Sequence, residues 1–183
     1  ADALEIVQRY GIELPARVRA VLDSGAGESV KPGDPRLAGI ETRVVAAPQQ
    51  ALEAAAEVAK KHGYTTHILS DAIEGEARDV AADMARKVLD LQETLRPGDA
   101  PLLLLSGGEL TVTRRGDGIG GPNGDFGLAL ALALDGAPGI HALACDTDGV
   151  DGAAEVAGAL IGPETLAGQR AAAETALARN DAH

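Results

Sequence analysis

Pro101-Leu102-Leu103-Leu104-Leu105-Ser106-Gly107-Gly108-Glu109 decides how the chain is read. An apolar run of strand length stops at a glycine pair flanked by a serine and a glutamate. Beyond it come Thr111-Val112-Thr113-Arg114-Arg115 and a second glycine-rich turn, Gly116-Asp117-Gly118-Ile119-Gly120-Gly121-Pro122-Asn123. Alternating Leu and Ala then run to Leu134. This order places two backbone-lined loops on one edge of a sheet, and such loops usually face an anion, often a phosphate.

Upstream the same rhythm recurs. Arg43–Ala47 reads as a short β-branched strand. Gln49–His62 is an Ala-rich helix closed by Lys60, Lys61 and Gly63. Thr65–Leu69 is a second strand, and Glu74–Leu95 a long helix stopped before Pro97. Leu110–Arg114 is a further candidate strand, and His141–Cys145 is one more apolar run. Strands alternating with helices predict an α/β class, a layered α/β/α domain with a largely parallel sheet. Two short amphipathic helices, Ala3–Tyr10 and Pro15–Leu22, precede it. The Pro- and Gly-rich stretch Lys31-Pro32-Gly33-Asp34-Pro35 breaks regular structure and marks a boundary. Residues 1–40 are therefore expected to form a helical segment and linker, and residues 41–183 an α/β domain.

The Leu128–Leu134 run has a period of two, which suits a strand, but Leu and Ala favour helices and Ala is poor in strands. A helix buried on most sides is expected, with Asn123 as its N-cap, Asp125 in its first turn and Gly136 near its end.

Composition narrows the function. The net charge of −12 over 183 residues, without a Lys/Arg cluster, argues against nucleic acid. Only 2% of residues are aromatic, so the core must be aliphatic. One cysteine excludes an internal disulfide or a Cys-based zinc site and fits a reducing cytoplasm. Cys145 itself is expected to be a buried, inert thiol. The longest apolar stretch, Phe126–Leu134, is too short to cross a bilayer. The four histidines are scattered, and no Ser-His-Asp arrangement can be argued.

Three loops carry candidate chemistry. Ser106-Gly107-Gly108-Glu109 would bring backbone N–H groups and a hydroxyl to a ligand beyond a strand end; the alternative is an ordinary strand-ending turn. Gly116–Asn123 would cradle an anion, or form a long hairpin loop. It is neither a phosphate-binding Gly-Lys-Ser/Thr loop nor a dinucleotide fingerprint. At most one of Arg114 and Arg115 faces the site, since strand neighbours point to opposite faces. Asp146-Thr147-Asp148-Gly149-Val150-Asp151-Gly152 would hold Mg²⁺ through its three carboxylates, or form a solvated Asp/Gly turn.

Taken together, Ser-Gly-Gly-Glu, Thr-Val-Thr, the Gly-rich turn, Gly-Gly-x-Asn and Leu-Ala-Leu-Ala resemble the MOFRL region of type II glycerate kinases, which are also named hydroxypyruvate reductases. Lys31–Pro35, Ala46–Leu52, Glu74–Ala77, Asp146–Gly152 and Ala178–Asp181 are similar to further family segments. The MOFRL-like region covers about residues 100–183. Where many members carry Gly-Gly-Arg-Asn-Gln-Glu, this chain has Gly120-Gly121-Pro122-Asn123-Gly124-Asp125.

The resemblance implies an ATP- and Mg²⁺-dependent phosphoryl transfer to D-glycerate, giving 2-phosphoglycerate. It implies that Ser106, Gly107, Gly108, Glu109, Thr111, Arg115, Gly120, Gly121 and Asn123 meet substrate or phosphate, and that Asp146, Asp148 and Asp151 serve the metal. No catalytic base can be named. It also implies a partner domain N-terminal to this chain, holding a family lysine, so that the chain alone would be inactive; a homodimer is compatible with it. A hydroxypyruvate reductase using NAD(P)H, a non-catalytic small-anion-binding module and a structural or oligomerisation domain are the alternatives.

Overall fold

The structure is a computed structural model that describes residues 2–153 and 155–182. It divides into two units, Ala1–Val45 and Ala46–His183. The first holds helices α1 (Asp2–Arg9) and α2 (Ala16–Ser24) and a short 3₁₀ turn, Pro35–Leu37. Neither helix has a buried residue. The 3₁₀ turn begins at Asp34, whose side chain accepts the Arg36 N–H.

The second unit carries α3 (Pro48–Lys61), β1 (Thr65–Glu76), α4 (Ala77–Thr94), β2 (Leu102–Thr111), α5 (Pro122–Leu134), β3 (Ala142–Cys145), β4 (Gly158–Ile161) and α6 (Arg170–Ala178). The α/β class expected from the sequence is present. β1 and β2 pair in parallel, Thr65 opposite Leu102 and Glu76 opposite Thr111. β3 does not join them; it pairs antiparallel with β4, Ala142 opposite Ile161. Neither β4 nor α6 was anticipated, because Gly158-Ala159-Leu160-Ile161 is too short for a periodic signal.

β2 corrects the reading of its own sequence. Ser106-Gly107-Gly108-Glu109 is not a turn after the strand but part of it, and of the expected strand Leu110–Arg114 only Leu110 and Thr111 are in it, as its last two residues. The reason lies in β1, which is irregular between Ile68 and Ser70 and again between Ser70 and Ile73. A bulged strand crowds its partner, and glycine opposite a bulge lets the backbones approach. Gly108 has φ 147°, and a Cβ there would overlap the Ile73 backbone. β1 likewise runs on through Glu74–Glu76, so α4 starts at Ala77 rather than at Glu74.

Two other expectations fail. Arg43–Ala47 is not a strand: Val44 and Val45 are 78% and 83% exposed, and β-branched residues without a ladder partner do not hold an extended pairing. Cys145 is exposed. Side chains alternate along β3, so Ala144 points inward while Leu143 and Cys145 point out.

The core is aliphatic, as the composition requires. Ala81 and Ala85 of α4 cluster with Ala129, Leu130 and Leu134 of α5. Alanines at such a contact bring helix axes close together. Partly buried Met84, Leu89, Phe126, Ile140 and Leu177 close around them. α5 is buried on most sides, as expected, and ends at Asp135 in the left-handed region (φ 48°), followed by Gly136. Its N-cap is Gly121 rather than Asn123, because Pro122 takes the first helical position. Gly127 lets α5 lie against β4: a Cβ there would come within 2.9 Å of Ala159.

The glycine pair separates two effects. Gly107→Ala meets nothing closer than 3.7 Å and should change stability by less than about 1 kcal/mol. Gly108→Ala combines a forbidden φ with backbone overlap and should cost about 3 kcal/mol or more. Urea unfolding of the two variants measures this; equal effects would contradict the bulged pairing.

Candidate functional site

The second glycine turn lies between β2 and α5, and its glycines meet other parts of the same chain. A Cβ on Gly116 would come within 2.5 Å of the Arg179 carbonyl oxygen, and one on Gly118 within 2.5 Å of Asp181. One on Gly121 would come within 2.5 Å of Asp151. These glycines are needed for close backbone approach within the fold. The turn is closed from outside by residues 179–182: the Gly118 N–H donates to the Arg179 carbonyl at 3.1 Å, and the Ile119 N–H to Asp181 Oδ1 at 3.1 Å.

Asp151 is 1% exposed. Its Oδ1 accepts the Asn123 N–H at 3.0 Å and the Asn123 side-chain amide at 3.2 Å; its Oδ2 accepts the Gly124 N–H at 2.7 Å. Asn123 and Gly124 lie in the first turn of α5, where N–H groups lack helical partners and the helix dipole favours a negative charge. The chain thus supplies its own anion to this helix. The anion at Asn123 and Gly124 is a side chain 27 residues away.

The other two acidic residues of that loop do not join it. Asp146 Oδ1 accepts the Asp148 N–H at 3.3 Å, and Asp148 Oδ1 accepts the Val150 N–H at 2.8 Å. These are local turn contacts of exposed carboxylates. Among the described residues no group of three His, Cys, Asp or Glu side chains is placed to hold a metal ion. As folded, Asp146, Asp148 and Asp151 do not form a divalent-cation site, because Asp151 is turned inward to α5.

The N–H groups of Gly120 and Gly121 make no hydrogen bond among the described residues. Both glycines line a cavity of about 280 Å³ with Gly124, Asp151, Val156, Gly158 and Ala182. The remaining expected site residues are dispersed along β2. Ser106 faces Ser70 in the ladder, Glu109 faces Glu74, and Thr111 Oγ1 donates to the Gly75 carbonyl at 3.1 Å. Gly107 and Gly108 belong to the β1–β2 pairing. Of the two arginines, Arg114 folds back, donating from Nε to the Gly116 carbonyl at 3.1 Å. The Arg115 guanidinium makes no hydrogen bond or ion pair among the described residues.

Beneath the loop sits a polar cluster that sequence reasoning missed. Arg78, from the first turn of α4, donates from Nη2 to Asp125 Oδ2 at 3.3 Å and to the Leu177 carbonyl at 3.1 Å. Its Nε lies 3.6 Å from Glu76. Asn180 donates to the same Asp125 oxygen at 3.1 Å. Asp125 is 1% exposed, and removing one partner of a buried charge pair leaves the other uncompensated. The only available sequence signal was Asp125 in the first turn of α5, which was read as a dipole partner.

Glu76 anchors the other side. Its carboxylate accepts the Thr113 N–H at 3.0 Å and the Thr113 hydroxyl at 2.9 Å. Burial is the largest single influence and opposes its charge. The Thr113 hydrogen bonds and the charges of Arg78 and Arg115 together outweigh burial, so Glu76 ionises below its ordinary range.

The geometry defines an α/β domain with a glycine-walled cavity at the N-terminus of a buried helix. Comparison with known proteins identifies it more closely. Residues 102–183 match the MOFRL family. The whole chain is 48% identical to a "Putative hydroxypyruvate reductase" of Agrobacterium vitis, covering 41% of that protein. It is 32% identical to D-glycerate 2-kinase of Thermotoga maritima over 90% of this chain and 38% of that one. The crystal structure of glycerate kinase from Thermotoga maritima superposes with a TM-score of 0.75 at 30% identity, covering 99% of this chain and 43% of that one. The chain therefore spans less than half the length of each of these relatives.

Two measurements check this site. Asp151→Ala removes a buried carboxylate that accepts three hydrogen bonds and should lower unfolding free energy by about 2–4 kcal/mol, while Asp151→Asn, which keeps one acceptor oxygen, should lose about half of that. Wild-type stability in both variants would contradict the capping role. Because the Glu76 pKa is depressed on folding, its contribution is complete above the ordinary value near 4.5 and is lost as pH falls below it. Glu76→Gln should flatten stability against pH in that acid range and leave its slope unchanged above pH of about 6; an unchanged acid limb would refute the assignment.

Proposed function

We propose that this chain is the C-terminal part of a glycerate kinase that transfers the γ-phosphoryl group of ATP to D-glycerate. The 2-hydroxyl oxygen forms the new P–O bond, ADP leaves, the hydroxyl proton is released and 2-phosphoglycerate results. We assign residues 1–40 to a helical segment and linker and residues 41–183 to the C-terminal α/β domain. The observation that carries the reading is the pair of unengaged N–H groups at Gly120 and Gly121 on a glycine-walled cavity, in a domain whose relatives are named glycerate kinases.

Phosphoryl transfer depends on positioning and charge neutralisation more than on covalent chemistry. In this reading the Gly120 and Gly121 amides and the Arg115 guanidinium contact a phosphate or carboxylate oxygen. Ser106, Glu109 and Thr111, on β2, orient hydroxyl groups. Asn123 acts through Asp151, by holding the first turn of α5. The Mg²⁺ requirement belongs to the family chemistry. The Asp146–Asp151 loop does not fit the ion as folded, and no step is assigned through it. The single Cys145 suits a reducing cytoplasm.

Reductase chemistry is the second reading, because the Agrobacterium vitis relative carries that name. It needs a nicotinamide site; Gly116-Asp117-Gly118-Ile119-Gly120-Gly121 has the Gly-x-Gly-x-x-Gly spacing, but the Asp151 carboxylate already takes the Asn123 and Gly124 amides at the helix N-terminus where a pyrophosphate would sit, and residues 179–181 pack against the turn. The two are separated by assaying a protein of the relatives' full length. With ATP, Mg²⁺ and D-glycerate it should form 2-phosphoglycerate, and with hydroxypyruvate it should not oxidise NADH or NADPH. The 183-residue chain alone should give no turnover. Nicotinamide oxidation without phosphoglycerate formation would overturn the kinase reading.

A further inference from the structure

Asn180 stands in a position that its own segment does not explain. It is 5% exposed and adopts the left-handed conformation, φ 56°. Its side-chain amide is spent on two other parts of the chain, the 113–116 stretch and Asp125. Oδ1 accepts the Arg115 N–H at 2.6 Å and the Gly116 N–H at 3.3 Å. Nδ2 donates to Asp125 Oδ2 at 3.1 Å and to the Thr113 carbonyl at 3.4 Å. One buried amide therefore ties the backbone on both sides of Arg114 to the carboxylate that Arg78 neutralises.

The side chain held in this way is Arg115. Its neighbours Arg114 and Arg179 are engaged, with the Gly116 carbonyl and with Asp117. Arg115 alone of the three has a guanidinium without a hydrogen bond or ion pair among the described residues. It is exposed, at the start of the glycine turn, in a chain of net charge −12. The clamp lies beneath a cation whose charge reaches Glu76 without a direct ion pair, and it leaves Arg78 Nε and Asp125 Oδ1 buried without a hydrogen-bond partner among the described residues; such a cluster is costly to assemble unless the position it fixes matters.

We infer that Asn180 is a positioning residue, which fixes the backbone at Arg115 so that its guanidinium meets an anionic group of the substrate beside the glycine turn. This rests on the kinase reading. Asp125 and Arg78 act one step further back, by holding the Asn180 amide in orientation. The proposal gives a role to a residue outside the glycine loops and decides between the two adjacent arginines.

Glycine suits a left-handed position, so Asn180→Gly keeps the backbone conformation and deletes only the amide. Asn180→Asp keeps the acceptor for the Arg115 N–H but sets a carboxylate against Asp125. In the full-length protein, Arg115→Ala should raise KM for D-glycerate or ATP about tenfold or more with kcat changed much less. Asn180→Gly should raise the same KM, and the double variant should lie within about twofold of Arg115→Ala alone. If the two effects multiply, or if Asn180→Gly leaves KM unchanged in a folded protein, the inference fails while the kinase reading stands.

If the wild-type protein has no kinase activity, that reading fails. The inference is then decided on the 183-residue chain by titration with inorganic phosphate. Weakened binding in Arg115→Ala and Asn180→Gly, without further loss in the double variant, would support it; binding equal to wild type would overturn it. Should Asn180→Gly not fold, Asn180→Ala deletes the same amide and gives the same comparison.

Discussion

The carboxylate of Asp151 against the first turn of α5 is the interaction on which the rest of this domain depends. α5 is apolar on nearly every side and contributes three of the five buried residues of the main core cluster. Such a helix is placed by packing, but packing alone leaves its N-terminal N–H groups buried and unpaired. Asp151 satisfies two of them and the Asn123 side chain. In doing so it draws the 146–152 loop, which follows β3, onto the turn that follows β2. Gly121 and Gly152 are the points of closest approach, and neither has room for a side chain.

A second constraint follows from the first. With α5 set, Asp125 is carried inward, where a lone carboxylate would be costly. Arg78 and Asn180 meet it there. Arg78 comes from the start of α4 and Asn180 from just beyond α6, so the ends of three helices converge on one oxygen atom. The glycine turn is then closed by residues 179–182. What stays available on its surface is limited to the Gly120 and Gly121 amides and the Arg115 side chain. In the proposed reading these form the binding edge; beneath them Arg78 Nε and Asp125 Oδ1 are buried without a hydrogen-bond partner among the described residues.

Much of this was legible in the residues. The apolar runs and the Ala-rich helix placed β1, β2, α3 and α4, and Leu/Ala composition resolved Leu128–Leu134 as a helix against its period of two. Glycines were legible as close approaches, but what approaches was not. Gly108 accommodates a bulge in β1, Gly116 and Gly118 accommodate residues 179–181, and Gly121 accommodates Asp151. A glycine's sequence neighbours say nothing of its spatial neighbour, so turns that would cradle a ligand and turns that cradle their own chain look alike. The same limit hid the Asp125 cluster, whose members are 47 and 55 positions apart. Arg43–Ala47 shows the reverse error, strand propensity without a strand beside it.

In the proposed site the anion-binding amides are divided: Asp151 occupies those of Asn123 and Gly124, and those of Gly120 and Gly121 are left for a ligand. Amide chemical shifts of the chain during titration with inorganic phosphate test it most directly. Shifts are expected at Gly120, Gly121 and the Arg115 side chain, with Asn123 and Gly124 unmoved. Shifts at Asn123 and Gly124, showing that phosphate displaces Asp151, or shifts at Gly107 and Gly108 instead, would contradict it.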